Sequence, residues 1–308
     1  MAATKIALVG LGKIARDQHI PALALNHEFE LVAVASPHHK LDGLPNFHDL
    51  PALLQAVPET AAVALCTPPQ VRYEIARYAL EQGLHVLLEK PPGVTVSEVM
   101  ALAQIAKRNG VALFASWHSR HARGVEPARA WLRGRRLRNV AVNWKEDVRI
   151  WHPGQAWIWR AGGLGVFDPG INALSILTRI VADPLVLQAA DLSYPRNCAT
   201  PIAARLSLSD AHGTNMQVEL DFLQTGPQTW SIDIETESGR LNLSLGGTVM
   251  TVDGHEVQTA PVMEYPGLYA RFAELVGTHG IDADIAPLQL VADAFLCGRR
   301  IEVDPFVE

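Results

Sequence analysis

Short apolar runs alternate with longer amphipathic segments over the first 117 residues of the chain. The runs are nearly continuous in hydrophobic residues, as in parallel strands that are covered on both faces. They are Lys5–Gly10, Glu30–Ser36, Ala61–Cys66, His85–Lys90 and Val111–Trp117. Between them, Arg72–Gln82 and Val96–Arg108 repeat apolar residues at helical spacing, and each is followed by a glycine stop signal. This alternation predicts an α/β domain with a doubly wound parallel sheet.

After Trp117 the pattern changes to the polar–apolar alternation that is typical of antiparallel strands with one wet face. The runs of this kind are VAVNWKEDVRI, IAARLSLS, MQVELDF and WSIDIETE. We therefore predict a dinucleotide-binding domain over residues 1–118. A C-terminal α+β domain with a large, mostly antiparallel open sheet is predicted over residues 119–285. We expect the last helical pattern, residues 286–300, to pack back on the first domain.

Composition narrows the class of protein without identifying it. The 308 residues are 48% hydrophobic and 19% charged, a balance typical of a soluble protein of two domains. A net charge of −6 gives no reason to expect a nucleic acid or an anionic membrane as partner. No stretch reaches membrane-span length, and Cys66, Cys198 and Cys297 form no C-x-x-C pair. These features predict a cytoplasmic protein without disulfides or a zinc site.

The sequence VGLGKIA follows the first predicted strand and opens a helix. It supplies G-x-G-x-x-A through Gly10, Gly12 and Ala15. Gly10 permits a tight turn, Gly12 allows a pyrophosphate to approach the backbone, and Ala15 allows close helix–strand packing. We expect this turn, with Lys13 and Ile14, to bind a dinucleotide; the alternative is an ordinary tight turn.

The end of the second predicted strand bears on the choice of dinucleotide. An acidic residue there accepts from the ribose hydroxyls of NAD, whereas a basic residue favours NADP. Here Ser36 stands in place of the acid, and His38, His39 and Lys40 follow. We expect both NAD and NADP to be used, with Ser36 and His38 among the contacts. The alternative is a solvated polar turn.

Two further strand ends carry candidate residues. In open α/β sheets, ligands bind outside the carboxyl ends of the strands. Glu89 and Lys90 end one strand before two prolines, and Thr67 and Pro68 end another. We expect Thr67, Pro68, Glu89 and Lys90 to line the cofactor site, with Lys90 also meeting a substrate hydroxyl. The alternative for Lys90 is a strand-end lysine that pairs with Glu89.

Six of the seven tryptophans lie between Trp117 and Trp159, among histidines and acidic residues. Indole faces stack on the C–H faces of sugars, while carboxylates and imidazoles bind sugar hydroxyls. This composition indicates a carbohydrate site; the alternative is that the tryptophans and histidines fill a core. No H-E-x-x-H or comparable spacing occurs, and we expect no catalytic metal.

The helix pattern GVFDPGINALSIL places Asp168 and Asn172 one helical turn apart. This spacing puts both polar groups on one face, where both can meet one ligand. Alternatively, Asp168 is the N-cap and Pro169 the first residue of a helix that is otherwise buried.

Taken together, VGLGKIARDQHIPAL, LLEKPPG and GGLGVFDPGINAL resemble the glucose–fructose oxidoreductase/inositol dehydrogenase/MocA superfamily, and most closely its bacterial aldose 1-dehydrogenases for L-arabinose and D-galactose. The likeness covers essentially the whole chain. It implies a Rossmann domain, NAD(P)-dependent oxidation of an aldopyranose at C1 to a lactone, and a monomer or homodimer. Sugar contacts implied by matching motifs are Lys90, His118, Glu146, Trp151, His152, Asp168 and Asn172, with Trp230 as a further contact.

The resemblance also implies a mechanism with Lys90, Asp168 and Asn172 as the catalytic residues. Either Asp168 or Lys90 removes the anomeric proton, and we favour Asp168 with Lys90 assisting. Asn172 stands where the broad superfamily often carries an acid/base histidine, so the histidine mechanism does not transfer. Pro37 replaces an arginine that relatives place on the 2′-phosphate of NADP. An inositol or other polyol dehydrogenase and a non-catalytic sugar or dinucleotide sensor are the alternative functions.

Overall fold

The computed structural model describes residues 2–261 and 264–308. It contains two compact units. The first comprises residues 2–118 and 264–285, and the second comprises residues 119–261 and 286–308.

A parallel sheet of seven strands forms the centre of the first unit. The strands are β1 (Thr4–Val9), β2 (Phe29–Ala35), β3 (Asn46–Phe47), β4 (Ala62–Leu65), β5 (His85–Leu88), β6 (Leu113–Ala115) and β15 (Ile281–Asp282). Their order is β15-β6-β5-β4-β1-β2-β3. All six pairings are parallel, which confirms the predicted Rossmann sheet. The order reverses between β1 and β4, the point at which such sheets bind ligands.

Helices cover both faces of this sheet. They are α1 (Ile20–Ala24), which follows a π-helical turn over Ala15–His19, then α2 (Leu50–Ala56), α3 (Pro69–Glu81), α4 (Val96–Asn109) and α8 (Glu264–Thr278). Ile6 and Leu8 of β1 belong to one buried apolar cluster, and Ala7 and Val9 belong to another. Because successive strand residues point to opposite faces, this sorting is the reason the run is continuously hydrophobic.

The second unit is built on a sheet of nine strands. They are β7 (Leu137–Lys145), β8 (Val186–Pro195), β9 (Ala203–Ser209), β10 (Asn215–Asp221), β11 (Thr229–Thr236), β12 (Gly239–Ser244), β13 (Val249–Val252), β14 (His255–Glu256) and β16 (Arg299–Val303). The order is β14-β13-β12-β11-β7-β10-β9-β8-β16. Among the described strands of this second sheet, only the pairings β7–β10 and β8–β16 are parallel, which confirms the mostly antiparallel sheet.

One face of this second sheet is apolar and the other is polar. On β7, the side chains of Val140, Val142 and Trp144 are buried, whereas Lys145 pairs with Glu219 on the polar face at 2.5 Å. The helices of the unit are α5 (Val125–Leu132), α6 (Val148–Trp151), α7 (Phe167–Ile180) and α9 (Ala286–Cys297). Of these, α7 packs against β7 and β11, as the one-sided pattern requires.

The placement predicted for the last helix is wrong. Helix α9 packs on α7 and β8 and belongs to the second unit, while α8 returns to the first. Helix α8 buries Tyr265, Leu268, Tyr269 and Phe272 in an apolar cluster on the parallel sheet. An apolar stripe shows that a helix is packed but does not show on which sheet, which explains the error.

Candidate functional site

The turn after β1 has the backbone that a dinucleotide requires. Gly10 adopts φ +91°, and a Cβ added there would lie 2.9 Å from both the carbonyl carbon of Cys66 and the amide nitrogen of Thr67. A Cβ on Gly12 would meet nothing within 4 Å. The backbone is therefore tightly packed at Gly10 and has free space at Gly12, which fits a pyrophosphate at the N-terminus of the following helix. The predicted residues Lys13 and Ile14 follow directly, and Lys13 pairs with Asp17.

The polar loop after β2 lies beside the same helix. Ser36 donates its backbone N–H to the carbonyl of Phe47 at 2.9 Å, and His38 is exposed. The Arg16 guanidinium donates to the backbone carbonyl of Lys40 at 3.0 Å. Sequence reasoning did not select Arg16, although it stands one residue after the glycine fingerprint. The contact gives this loop a cation that Pro37 does not supply.

Arg72 of α3 joins the two strand ends that carry the other candidates. Its guanidinium is buried and donates to the carbonyls of Thr67, Glu89 and Pro91. Thr67 lies beyond β4, while Glu89 and Pro91 flank Lys90, so one side chain fixes both loops. The Thr67 hydroxyl is buried and makes no hydrogen bond to any described residue, which leaves a polar atom for a cofactor. No motif indicated Arg72.

The Glu89 side chain is 3% exposed and points into a buried polar cluster. It accepts hydrogen bonds from Tyr265 Oη at 2.7 Å and from the Lys90 backbone N–H at 2.7 Å. The His19 ring, which is fully buried, places Nε2 3.1 Å from Glu89 Oε1 and Nδ1 2.7 Å from Tyr269 Oη. Through its hydrogen bond to the Lys90 backbone N–H, Glu89 ties the start of this loop to the buried polar cluster.

This cluster contains a buried ion pair. Burial opposes charge on Glu89, but the hydrogen bond and charge of His19 lower the pKa of the Glu89 carboxyl to about 2. Burial also lowers the pKa of His19, yet its polar contacts, which include the hydrogen bond to the Glu89 carboxylate, raise that pKa well above the ordinary value. The pair is therefore charged at neutral pH. Burial raises the pKa of Tyr269 to about 12, so this hydroxyl stays protonated.

His118, also in the first unit, is mostly buried. Its Nδ1 lies 2.5 Å from Oε2 of Glu264, and its ring stacks on Tyr265 with centroids 5.3 Å apart. His118 thus contacts the helix that covers the parallel sheet. The structure brings Lys90 and His118 into one unit with the dinucleotide turn.

The second unit brings together four of the predicted sugar contacts. Glu146 and Asp168 are each 2% exposed, and His152 lies between them. His152 Nε2 is 3.0 Å from Glu146 Oε1, and its Nδ1 is 3.5 Å from Asp168 Oδ2. Trp230 donates from its indole N–H to Glu146 Oε2 at 2.9 Å. Two carboxylates, an imidazole and an indole therefore form one cluster.

The tryptophans divide between core and site. Trp117 and Trp144 are 3% and 4% exposed, as the core alternative requires. Trp151 is 39% exposed and lies 4.8 Å from the Trp230 ring, centroid to centroid. The exposed indole of Trp151 and the partly buried indole of Trp230 thus offer an aromatic surface next to Glu146.

Helix α7 carries Asp168 and Asn172 one turn apart. It begins at Phe167 with Val166 as its N-cap, so the alternative that Asp168 caps the helix is wrong. Asp168 lies in the first turn, where the partial positive charge of a helix N-terminus favours a carboxylate. Asn172 is half-buried and its backbone carbonyl accepts from Ser175 Oγ at 2.7 Å.

The described residues form neither a metal-binding cluster nor a membrane-spanning helix. Within residues 2–261 and 264–308, no group of three or more His, Cys, Asp and Glu side chains is arranged to hold a metal ion. The same residues include no helix long and apolar enough to cross a membrane.

The closed turn at Gly10, the strand order and the polar strand ends define a Rossmann-type dinucleotide-binding protein. The profile of the oxidoreductase family with an NAD-binding Rossmann fold matches residues 4–116. Galactose 1-dehydrogenase of Pseudomonas fluorescens is 44% identical over 304 residues, 99% of each chain. The chain belongs to this oxidoreductase family, which confirms the predicted resemblance. It is an NAD(P)-dependent oxidoreductase.

Solved structures agree with this assignment. The crystal structure of a D-galactose-1-dehydrogenase protein from Rhizobium etli has a TM-score of 0.95 at 50% identity, covering 100% of this chain and 99% of that one. KijD10, a 3-ketoreductase from Actinomadura kijaniata in complex with NADP and TDP-benzene, has a TM-score of 0.84 at 20% identity, covering 98% of this chain and 99% of that one. The second likeness shows the shared fold alone.

Proposed function

We propose that the protein oxidises an aldopyranose at C1 to the aldonolactone, with D-galactose, L-arabinose and D-fucose as substrates. The observation that carries this proposal is the cluster of Glu146, His152, Asp168 and Trp230, whose members are the groups that bind sugar hydroxyls and C–H faces. Two full-length relatives named as galactose 1-dehydrogenases, at 44% and 50% identity, support it.

In the proposed mechanism Asp168 is the general base. Its side chain is 3% exposed, and a carboxylate shielded from water can accept the proton of the anomeric hydroxyl. The nicotinamide cofactor, when bound, accepts the hydride from C1. Lys90 holds the anomeric oxygen, and Asn172 orients the sugar or the carboxylate without titrating. Lys90 as the base is the alternative assignment.

The proposal includes several sugars and both cofactors. L-Arabinose and D-galactose share ring stereochemistry and differ by the C5 hydroxymethyl group, so one pocket without a wall at C5 accepts both. At the end of β2, Ser36 presents no carboxylate to repel a 2′-phosphate, and Arg16 adds a cation beside that loop. We therefore propose dual use of NAD and NADP by a cytoplasmic monomer or homodimer.

The test is the variant Asp168→Asn, assayed with D-galactose and L-arabinose and each cofactor. We expect kcat to fall by a factor of about 10² to 10⁴, because that is the usual contribution of a positioned base. Asp183→Asn is the matched control, since Asp183 is a partly exposed carboxylate of the same unit that pairs with a histidine at 3.4 Å.

Two results would contradict the proposed base or the proposed function. Near-full turnover by Asp168→Asn would remove Asp168 as the base. Binding of sugar by the wild type without any reduction of cofactor would favour the sensor instead of the enzyme.

A further inference from the structure

Three titratable side chains of the second unit, Glu146, His152 and Asp168, lie in a row with His152 in the middle. Glu146 follows β7, His152 follows α6, and Asp168 lies in the first turn of α7. The ring of His152 meets Glu146 Oε1 at 3.0 Å on its Nε2 side and Asp168 Oδ2 at 3.5 Å on its Nδ1 side. The two contacts differ, because Nδ1 is buried and makes no hydrogen bond within the described residues.

The position of one proton explains this difference. The hydrogen bond to the Glu146 carboxylate requires a proton on Nε2, since a carboxylate only accepts. In the neutral ring, Nδ1 then presents a lone pair to the Asp168 carboxylate. Because Nδ1 and Oδ2 are then both acceptors, they cannot form a hydrogen bond with each other. One added proton, on Nδ1 or on Asp168, completes the hydrogen bond. The row therefore has room for one proton, the number that the oxidation of one hydroxyl releases.

We propose that His152 shares the proton that Asp168 takes from the sugar, so that it is a positioning residue acting through Asp168. This inference rests on the proposed function. The C1–H bond gives its hydride to the nicotinamide cofactor, and the anomeric O–H bond gives its proton to Asp168 as C1–O becomes C=O. The proton then passes from Asp168 Oδ2 to His152 Nδ1, which is buried, and is released to water once the product has left the site.

Burial and charge agree with this route. The side chain of His152 is 15% exposed, against 3% for Asp168 and Glu146, so the ring is the most exposed member of the row. The ring lies between two carboxylates, each of which can accept a hydrogen bond from one of its two nitrogens. The 3.5 Å separation is long for a hydrogen bond, and such bonds tighten when substrate binds.

Among the described neighbours of the His152 ring, Glu146 and Asp168 are the charged groups that face its two nitrogens. Trp230 fixes Glu146 through Oε2 at 2.9 Å. The aromatic ring of Phe222 lies 5.5 Å from the imidazole, centroid to centroid. Asp147 faces Arg149 at 2.8 Å and 3.0 Å, so its charge is paired away from the row.

The experiment compares His152→Gln with the wild type from pH 5 to 10, using D-galactose and the better cofactor. Glutamine retains a donor for Glu146 but does not titrate. We expect kcat to fall by a factor of about 10 to 100, KM to change by less than about threefold, and the acid limb of the kcat profile to move. His212→Gln removes the imidazole of an exposed His–Asp pair and should match the wild type.

Glu146→Gln is the second variant, because it removes one carboxylate charge and leaves a single amide oxygen, which can accept from His152 or from Trp230 but not from both. It should also lower kcat, and it should move the acid limb of the kcat profile by less than His152→Gln does. A raised KM with an unchanged kcat profile in His152→Gln would overturn the inference and leave His152 as a sugar contact only. A fall in kcat without any change in the pH profile would also overturn it. A wild type that oxidises no aldose would instead refute the proposed function.

Discussion

His19 and Glu89 form a buried ion pair next to the end of β5, where Lys90 follows Glu89. Both side chains are almost fully buried, at 0% and 3% exposure. Removing two charges from water is costly, and the cost is offset only where every remaining polar atom finds a partner. Tyr265, Tyr269 and the Lys90 backbone N–H provide these partners. We therefore expect the pair to fix the position of Lys90 while making stability depend on pH.

The variant Glu89→Gln tests this pair. At pH 7 it should lower the free energy of unfolding by about 3 kcal/mol, because it leaves the His19 charge without its carboxylate. The folded Glu89 carboxyl has a pKa of about 2, against an ordinary 4.5. Its stabilising effect is therefore complete above pH 4.5 and is lost as the pH falls towards 2.

Urea unfolding at a series of pH values measures this difference. The gap between Glu89→Gln and the wild type should shrink from pH 4.5 downwards. Glu59→Gln is the control, since Glu59 forms an exposed pair with Lys5 at 3.2 Å and should have a much smaller effect. A gap that does not depend on pH would contradict the assigned ion pair.

Residues differ in how far the sequence reveals them. Glu89 and Lys90 were identifiable because they end an apolar strand before two prolines. His19 was not, because its partners Glu89 and Tyr269 lie 70 and 250 residues away in the chain. A single histidine in a helix carries no pattern that indicates such distant contacts.

Helix α7 shows how one element fixes the place of the proposed base. Its Gly170 faces β10, where an added Cβ would lie 2.5 Å from Leu220 Cδ1. Leu220 is 2% exposed and has little room to move. The glycine in DPGIN therefore allows the helix to approach the sheet, which sets the position of Asp168 and Asn172.

Gly170→Ala should destabilise the protein although alanine is the better helix former. The propensity gain is about 1 kcal/mol, whereas overpacking a buried contact costs about 1–3 kcal/mol. Thermal unfolding should show a lower Tm, and kcat/KM should fall as α7 moves. Gly277→Ala in α8 is the matched control, because a Cβ there meets nothing within 4 Å, and it should stabilise. Equal effects of the two substitutions would contradict the close approach.

Elements with a strong period were predicted from the sequence, and elements without one were not. The helices α3 and α4 have apolar stripes and glycine stops, and their observed ranges differ little from the prediction. Strand β16 was missed because four of its five residues are exposed, so it shows no alternation. It is defined by its pairing with β8, in which Arg299 contacts Asp191, a residue 108 positions away in the chain.

For the molecule as a whole, the sequence indicated both sheet types correctly, but it placed residues 264–285 in the C-terminal domain, whereas they belong to the first unit. It failed for the last helix, because amphipathicity does not specify a packing partner. The full-length likeness to two galactose 1-dehydrogenases agrees with the chemistry of the second unit, where indoles, carboxylates and an imidazole meet. The proposed function requires that hydride leaves C1 of an aldose.

Transfer of deuterium from D-galactose labelled at C1 tests this claim most directly. The purified protein is incubated with the labelled sugar and NAD or NADP, and the reduced cofactor and sugar product are examined by NMR and mass spectrometry. We expect one deuterium at C4 of the reduced nicotinamide and a lactone that has lost the label. Reduced cofactor without deuterium, together with a product that keeps the label at C1, would contradict it.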